Sequence, residues 1–325
     1  MIAFGMELHN VAELAQRENG FALPRLDAAV RAGLDTDAGR DCVFLTSGSE
    51  LRFRMVSDTV RLYLHMEDTT EGLPANIYYG CFQGPWAQSA KAIGRESTCL
   101  TIEKPKNLEH LLPIAEAQGH PFSPELVRIL LPCCKCVLER VEGEILPPRP
   151  GDTPAKTLLT YGSSITHGSL AMGAPHTYAY KLATGLGFDL LNLGMAGCCR
   201  LEESVLRRIF SSDDWDMATV EIGINMLGDF DDDAFRARVR RFADLAEADP
   251  RPVYVTSIFR CINEGDKLPR FRRIVREEIS GRLPFTDGTD LLDDPAMVAA
   301  DLVHPSLEGH ITIADRWLAR IRAEQ

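Results

Sequence analysis

The spacing of hydrophobic residues changes about halfway along the chain. Within residues 42–147, apolar positions alternate with polar ones, which is the period of half-buried strands. The alternation over residues 51–55 and again over 60–65, separated by Ser57-Asp58, predicts a β-hairpin. Further strands are predicted over 76–82, 98–102, 126–131 and 136–145. We therefore expect an antiparallel sandwich in the first half of the chain.

A proline-rich segment follows the predicted sandwich. Residues 147–154 contain four prolines, which remove backbone donors and restrict their neighbours, so neither a helix nor a strand is expected there. This segment predicts a boundary between two domains, 1–150 and 151–325. We found no internal repeat.

Beyond residue 151 the pattern alternates between strands and helices. Strands are predicted over 157–161, 189–193, 217–222, 252–258 and 285–291. Helices are predicted over 177–185, 202–210, 232–248, 268–279 and 306–322. This alternation is typical of an α/β domain, in which a parallel sheet carries helices on both faces.

Composition and charge exclude several classes of protein. The chain has 325 residues, 45% of them hydrophobic, and a formal net charge of −12 with scattered basic residues, so a nucleic-acid partner is not expected. The N-terminus lacks the features of a secretory signal, and no window approaches the ~20 apolar residues of a membrane span. We therefore expect a cytoplasmic protein without membrane contact.

The nine cysteines are expected to be reduced, with Cys133, Cys134 and Cys136 buried as structural residues rather than bound to metal.

Chemically reactive residues follow the predicted strands. Ligands of an open α/β sheet bind beyond the carboxyl ends of its strands. Ser164 follows the first strand within Gly162-Ser163-Ser164, where free backbone N–H groups and a helix dipole favour an anion. Gly197 and Asn225 follow the second and third strands, and Asp301 and His304 come after the last.

These residues fit the needs of acyl transfer. His304, with an ordinary imidazole pKa of about 6.5, is suited to take the proton of Ser164 near neutrality. Asp301 is suited to accept the other imidazole N–H and fix the tautomer. The backbone N–H groups of Ser164 and Gly197 and the side-chain amide of Asn225 are the expected oxyanion donors, one such donor contributing roughly 3 to 4 kcal/mol.

Four short blocks resemble the SGNH (GDSL) hydrolases, in that family's order. They are Gly162-Ser163-Ser164-Ile165-Thr166, Asn192 to Gly197, Gly223-Ile224-Asn225, and Asp301-Leu302-Val303-His304-Pro305. The resemblance covers about residues 156–325. It implies a three-layer, flavodoxin-like SGNH domain preceded by a jelly-roll-like all-β sandwich. It also implies a Ser164, His304 and Asp301 triad, with Ser164, Gly197 and Asn225 forming the oxyanion hole.

Two positions depart from the family pattern. Ser163 stands where the family usually has Asp, and Met226 follows Asn225 where Asp is common. Neither change removes a triad or oxyanion residue. A larger α/β-hydrolase fold is disfavoured, because its nucleophile elbow needs Gly at the position of Thr166.

Each motif residue also has a structural interpretation. The two serines could cap a helix, Gly197 and Asn225 could form turns, and Asp301 and His304 could belong to a solvated loop. Their joint occurrence after separate strands favours catalysis, while Ser163 is interpreted as structural. Other polar residues near these blocks are not expected to be catalytic. His167 and His176 are expected to be solvent-facing loop residues, and His310 a packed or surface residue. The spacing of Glu221 and Asp229 does not support a glycosidase pair.

The sequence therefore predicts a metal-independent serine esterase without a cofactor. Its expected partner is a small-molecule ester or an acetylated saccharide, because a β-rich domain before an SGNH domain resembles the two-domain carbohydrate acetylesterases. Acyl thioesterase and lysophospholipase activities stay open, as does a carbohydrate-binding protein with a residual catalytic domain. The sequence leaves open whether the protein forms a homo-oligomer.

Overall fold

The computed structural model describes residues 1–69, 72–262 and 265–324. Two antiparallel sheets and one parallel sheet are formed. The antiparallel strands are β1 (Ile2–Ala3), β2 (Met6–His9), β3 (Ala15–Arg17), β4 (Gly20–Ala22), β5 (Glu50–Met55), β6 (Thr59–Met66), β7 (Leu73–Tyr79), β8 (Phe82–Gln83), β9 (Ala90–Ile93), β10 (Thr98–Glu103), β11 (Leu126–Leu130), β12 (Cys136–Glu142) and β13 (Ile145–Leu146). Three helices accompany them: α1 (Ala28–Ala32), α2 (Asp37–Cys42) and α3 (Leu108–Ala117).

The two antiparallel sheets pack face to face, so the predicted sandwich is confirmed. One sheet has the order β1-β2-β5-β11-β7-β8, with β13 beside β5 and β9 beside β7, and the other has the order β10-β6-β12-β4-β3. Alternate residues of each sheet point inward, so that Phe53 of β5 and Leu62 of β6 are fully buried in one shared hydrophobic cluster.

The predicted hairpin between residues 51–55 and 60–65 is wrong. Strand β5 pairs with β2, β11 and β13, whereas β6 pairs with β10 and β12 of the opposite sheet. The turn around Ser57-Asp58 therefore passes from one sheet to the other. The alternation of apolar residues correctly predicts two strands, but it does not determine which strands pair with each other.

A parallel sheet follows, as predicted. Its strands β14 (Thr157–Gly162), β15 (Asp189–Gly194), β16 (Met217–Glu221), β17 (Val253–Thr256) and β18 (Phe285–Thr286) have the order β15-β14-β16-β17-β18. The helices are α4 (Ser164–His167), α5 (Tyr178–Leu186), α6 (Glu203–Ser211), α7 (Asp232–Ala248), α8 (Lys267–Ile279), α9 (Gly288–Leu291) and α10 (Leu307–Glu324). The last predicted strand is shorter than expected, because Asp287 caps α9 directly after Thr286.

Helices cover both faces of the parallel sheet. Successive residues of β14 point to opposite faces: Leu159 joins a hydrophobic cluster with α6, α7 and α8, while Leu158 joins one with α5 and α10. This is the predicted three-layer α/β domain. No helix within the described residues is long and apolar enough to cross a membrane.

Residues before 50 contact the α/β domain closely. Leu26, Leu34 and Val43 are buried in the same cluster as α6, α7 and α8. The last sandwich strand ends at Leu146 and β14 begins at Thr157, on either side of the proline-rich segment. The division into 1–150 and 151–325 stays a prediction.

Candidate active site

The proposed nucleophile lies in a tight turn between β14 and α4. The side chain of Ser163 caps the helix by accepting a hydrogen bond from Ile165 N at 3.2 Å, and Gly168 ends the helix in the left-handed conformation. Ser164 is the first residue of this helix and is partly exposed. Its backbone N–H is one of the groups that have no acceptor within a helix.

Ser164, His304 and Asp301 lie together in a hydrogen-bonded relay. Ser164 Oγ lies 2.7 Å from His304 Nε2, and His304 Nδ1 lies 2.5 Å from Asp301 Oδ2. Because a carboxylate only accepts hydrogen bonds, Nδ1 donates to Asp301 and Nε2 is left to accept from the serine hydroxyl. This is the tautomer that a general base requires.

Asp301 is held in place by its own loop. Its Oδ1 accepts hydrogen bonds from the backbone N–H groups of Val303 and His304, both at 3.0 Å. Burial raises the pKa of the Asp301 carboxyl, but the hydrogen bonds from the His304 ring and from these two N–H groups outweigh burial and hold the pKa below its ordinary value. The carboxylate therefore stays charged opposite the imidazole.

Gly197 and Asn225 reach the same edge of the sheet from strands on either side of β14. Strand β15 pairs with β14 up to Gly194 and Gly162, and Met195 N continues the ladder to Gly162 O at 2.7 Å. Gly197 lies two residues after Met195 and is exposed. Its φ angle is +72°, and a Cβ atom at this position would meet no atom within 4 Å. Its position therefore leaves room for a substrate.

The Asn225 side chain is oriented by a backbone contact. It follows β16 in a short 3-10 turn, Ile224–Met226, and its Oδ1 accepts a hydrogen bond from Cys199 N at 3.1 Å. This contact joins the loops after β15 and β16. Because Oδ1 is occupied in this way, the amide Nδ2 is the end left to donate elsewhere.

The sequence did not identify Glu221, a buried carboxyl behind the nucleophile turn. Its Oε2 accepts a hydrogen bond from Ser163 N at 2.7 Å and lies 3.4 Å from Thr166 Oγ1. Burial raises the pKa of Glu221 above its ordinary value despite these hydrogen bonds and the nearby His304 charge. An acidic residue that ends an otherwise buried strand is the signal that could have revealed it.

The histidines near the site are mostly buried. His167 is not solvent-facing as expected: it is 3% exposed, and burial next to the charge of Arg25 lowers its pKa to about 3. His310 is packed, as predicted, where Nε2 donates to Ser169 O at 3.0 Å and burial lowers its pKa to about 4. His176 is partly exposed, and Asp229 forms an ion pair with Arg200.

The fold and the arrangement of these residues define a three-layer α/β domain with a Ser-His-Asp relay at the carboxyl edge of its parallel sheet. Residues 160–310 match the model of the GDSL-like Lipase/Acylhydrolase family. This segment contains all five predicted site residues, and the match confirms the resemblance seen in the sequence. No curated protein sequence matches the chain.

Solved structures share the fold of the whole chain. A salicylyl-acyltransferase from a tetracycline biosynthetic pathway is similar with a TM-score of 0.71 and 16% identity, over 97% of this chain and 93% of the other. A family two carbohydrate esterase from Clostridium thermocellum, solved with cellohexaose, has a TM-score of 0.58 and 14% identity over 86% and 93%. One from Cellvibrio japonicus has a TM-score of 0.58 and 13% identity over 86% and 89%. The arrangement of antiparallel sheets before a parallel α/β domain is thus shared with these solved structures.

Proposed function

We propose that this protein is a serine esterase that removes a short acyl group, most simply acetyl, from the oxygen of a sugar or a related polar alcohol. The observation that carries the proposal is the relay from Ser164 Oγ to His304 Nε2 at 2.7 Å and from His304 Nδ1 to Asp301 Oδ2 at 2.5 Å. A serine with an aligned base and an orienting carboxylate is the arrangement that activates a hydroxyl as a nucleophile.

The proposed reaction has two halves. Ser164 Oγ attacks the ester carbonyl while His304 Nε2 takes its proton, and the carbonyl oxygen becomes an oxyanion that accepts hydrogen bonds from Ser164 N, Gly197 N and Asn225 Nδ2. The protonated His304 then gives its proton to the departing alcohol, which leaves an acyl-Ser164 ester. Water, deprotonated by His304, attacks this ester and releases the acid.

The substrate part of the proposal is supported by shared architecture. Two family two carbohydrate esterases share the fold over 86% of this chain, and one was solved in complex with cellohexaose. Acetylated saccharides are therefore the first esters to test. Transfer of the acyl group to a second alcohol is the alternative to hydrolysis, because the salicylyl-acyltransferase also shares the whole-chain fold.

A panel of esters and thioesters tests the activity and its acyl preference. We expect the wild type to hydrolyse acetyl esters faster than butyryl and octanoyl esters, and Ser164→Ala and His304→Ala to lose at least about 10⁴-fold in kcat while melting at the wild-type temperature. Chelators should not change the rate. A preference for acyl thioesters or long acyl chains would replace the proposed substrate, and a folded protein inert toward the whole panel would favour a binding role.

A further inference from the structure

Four large apolar side chains are exposed in the segment after α4 or in the two hydrogen-bonded segments that contain Ile262 and Leu302. Leu170 is 50% exposed, Met172 76%, Ile262 47% and Leu302 42%. Single exposed apolar residues are common on protein surfaces, but a group of them at one place marks a binding surface. We refer to these four residues as the apolar rim.

Hydrogen bonds connect three residues of the apolar rim, or their chain neighbours, to the loops that carry the triad. Leu302 lies between Asp301 and His304 in the chain, and its carbonyl oxygen accepts a hydrogen bond from Ile262 N at 2.8 Å. Leu170 follows Ser169, whose N–H donates to Ser164 O at 3.0 Å. The pair of Leu302 and Ile262 is thus attached to the loop of Asp301 and His304, and Leu170 follows a residue that is hydrogen-bonded to Ser164.

Three of the four residues also have an unfavourable backbone conformation. The φ angle is +64° at Leu170, +61° at Met172 and +65° at Leu302, the left-handed region that favours glycine and asparagine. Large aliphatic residues are disfavoured there, and local strain of this kind is concentrated at sites of function. Neither stability nor solubility accounts for leucine and methionine at these exposed positions.

The two triad-bearing segments of the apolar rim are joined to one face of the sheet. The loops with Gly197 and Asn225 pack through Cys198 and Met226 into the cluster on the α6, α7 and α8 face. The His304 loop and the segment with Leu170 are instead joined to the other face, where Val298 and Ile313 are buried and His310 of α10 donates to Ser169 O. The oxyanion donors therefore come from the face opposite to Leu170 and Leu302, whereas Cys261, next to Ile262, is buried in the cluster on the oxyanion side.

This placement decides which part of an ester meets the apolar rim. In the proposed mechanism His304 gives its proton to the departing alcohol oxygen, so the alcohol lies next to the imidazole and the apolar rim. We infer that the apolar rim binds an alkyl or aryl group carried by the alcohol part of the substrate. The inference rests on the proposed esterase function and narrows it: an unsubstituted sugar acetate lacks this group, whereas an alkyl- or aryl-substituted acetate has it.

Two acetate esters of similar length test the inference. One is hexyl acetate, and the other is the acetate of diethylene glycol monomethyl ether, in which oxygen atoms replace methylene groups. Of their alcohols, the ether alcohol is the more acidic and the better leaving group, so leaving-group acidity does not favour the alkyl ester. We expect wild-type kcat/KM to be about tenfold higher for hexyl acetate, since each buried methylene contributes about 0.8 kcal/mol. Met172→Asn combined with Leu302→Asn should bring the two values within about twofold, because asparagine tolerates a positive φ but offers no apolar surface.

Matched controls separate the apolar rim from general effects. Met172→Asn alone, at the most exposed of the four positions, should lower the ratio by severalfold without unfolding the protein. Trp86→Asn, which changes an exposed apolar residue of positive φ in the β-sandwich, should leave it unchanged. Equal kcat/KM values for the two esters in the wild type, or an unchanged ratio in the double variant, would overturn the inference while leaving the esterase intact. Absence of hydrolysis of every ester would overturn the proposed function and the inference together.

Discussion

The two ends of the Asn225 side chain have different proposed tasks. Its Oδ1 accepts a hydrogen bond from Cys199 N, which leaves Nδ2 to donate to the developing oxyanion. We predict that Asn225→Ala and Asn225→Asp each lower kcat about 10²- to 10³-fold, with a smaller change in KM, because the donor acts mainly in the transition state. Steady-state kinetics with an acetyl ester measure both constants.

The aspartate variant is the informative member of this pair. It keeps an acceptor for Cys199 N, but it replaces the donor with a carboxylate oxygen whose negative charge opposes the oxyanion. A structural role for Asn225 predicts near-normal kcat in Asn225→Asp and a loss in Asn225→Ala alone, and that outcome would contradict the proposed oxyanion role. A loss in Asn225→Asp at least as large as that in Asn225→Ala would support it.

Among the elements, strand β16 and helix α4 are joined by Glu221. Its carboxyl accepts from Ser163 N, and Oε1 is buried without a hydrogen-bond partner among the described residues. We predict that Glu221→Gln folds with near wild-type stability, since its amide oxygen accepts the same hydrogen bond. Glu221→Ala should lose about 1 to 3 kcal/mol, because Ser163 N stays buried and unpaired. Chemical denaturation measures both free energies of unfolding.

The raised pKa of Glu221 gives this comparison a pH dependence. Between the ordinary carboxyl pKa of 4.5 and its raised value, the folded state binds the proton that the unfolded state releases, so stability falls as pH rises through this window. Glu221→Gln cannot titrate and should become more stable relative to the wild type as pH increases. A constant difference between the two proteins from pH 4 to pH 8 would show that Glu221 does not have a raised pKa.

The strands and helices also show which features of the fold can be predicted from sequence patterns. The strands and helices of the parallel domain were predictable, because long amphipathic helices alternate with short apolar strands and the motif residues directly follow strand ends. The pairing of β5 and β6 was not, because their partners are set by contacts with distant strands such as β11 and β12. Strands β1 to β4 and helices α1 and α2 are short, and α3, which was not predicted, contains Pro113.

At the site, too, contacts between distant residues were the part that the sequence did not predict. The triad and the oxyanion residues stand in short ordered blocks, and the structure brings Ser164, His304 and Asp301 into hydrogen-bond contact. Glu221 ends a buried strand, which marks it as unusual, but the sequence alone does not show its contact with Ser163, 58 positions away. The apolar rim was equally hidden, because exposure of Leu170 or Leu302 depends on the folded surface.

At the scale of the whole molecule, a buried ionic network joins the sandwich to the parallel sheet. Arg52 of β5 is fully buried and donates to both carboxylate oxygens of Asp189 at the start of β15, each at 2.6 Å. Arg52 Nε also donates to Glu50 at 2.8 Å, and Glu50 pairs with Arg128 at 2.6 Å. The network pairs these charges at a place where Arg52 is fully buried and Asp189 is 7% exposed.

Removing one partner of this network should be costly. We predict that Arg52→Met lowers the free energy of unfolding by about 3 to 5 kcal/mol, because Asp189 loses its bidentate partner while it stays buried. Arg207→Met, which removes an exposed arginine paired with Glu203, should cost less than about 1 kcal/mol. Equal costs for the two variants in chemical denaturation would show that the network does not hold the two sheets together.

Stability should also fall at acid pH, in two stages. Burial lowers the pKa of His167 to about 3, so the unfolded state takes up a proton from pH 6.5 downward while the folded state does not. Despite burial, the charges of Arg128 and Arg52 lower the pKa of Glu50 to about 2, which adds a second loss below about pH 4.5. Melting temperatures measured from pH 8 to pH 3 should decline in both windows.

A variant separates the two stages. Burial also lowers the pKa of His310 to about 4, so this ring contributes to the same upper window. His167→Leu should therefore reduce but not abolish the decline between pH 6.5 and pH 5, while the steeper fall below pH 4.5 stays. If the variant and the wild type decline in parallel across the upper window, the His167 imidazole is not one of its causes.

Covalent labelling of Ser164 tests the central claim most directly. The intact protein is treated with a fluorophosphonate, and the modified residue is located by mass spectrometry of the digested chain. We predict one adduct on Ser164, formed by the wild type and not by Ser164→Ala, and formed much more slowly by His304→Ala. A folded wild-type protein that forms no adduct, or an adduct on another residue that persists in Ser164→Ala, would contradict the proposed catalytic triad.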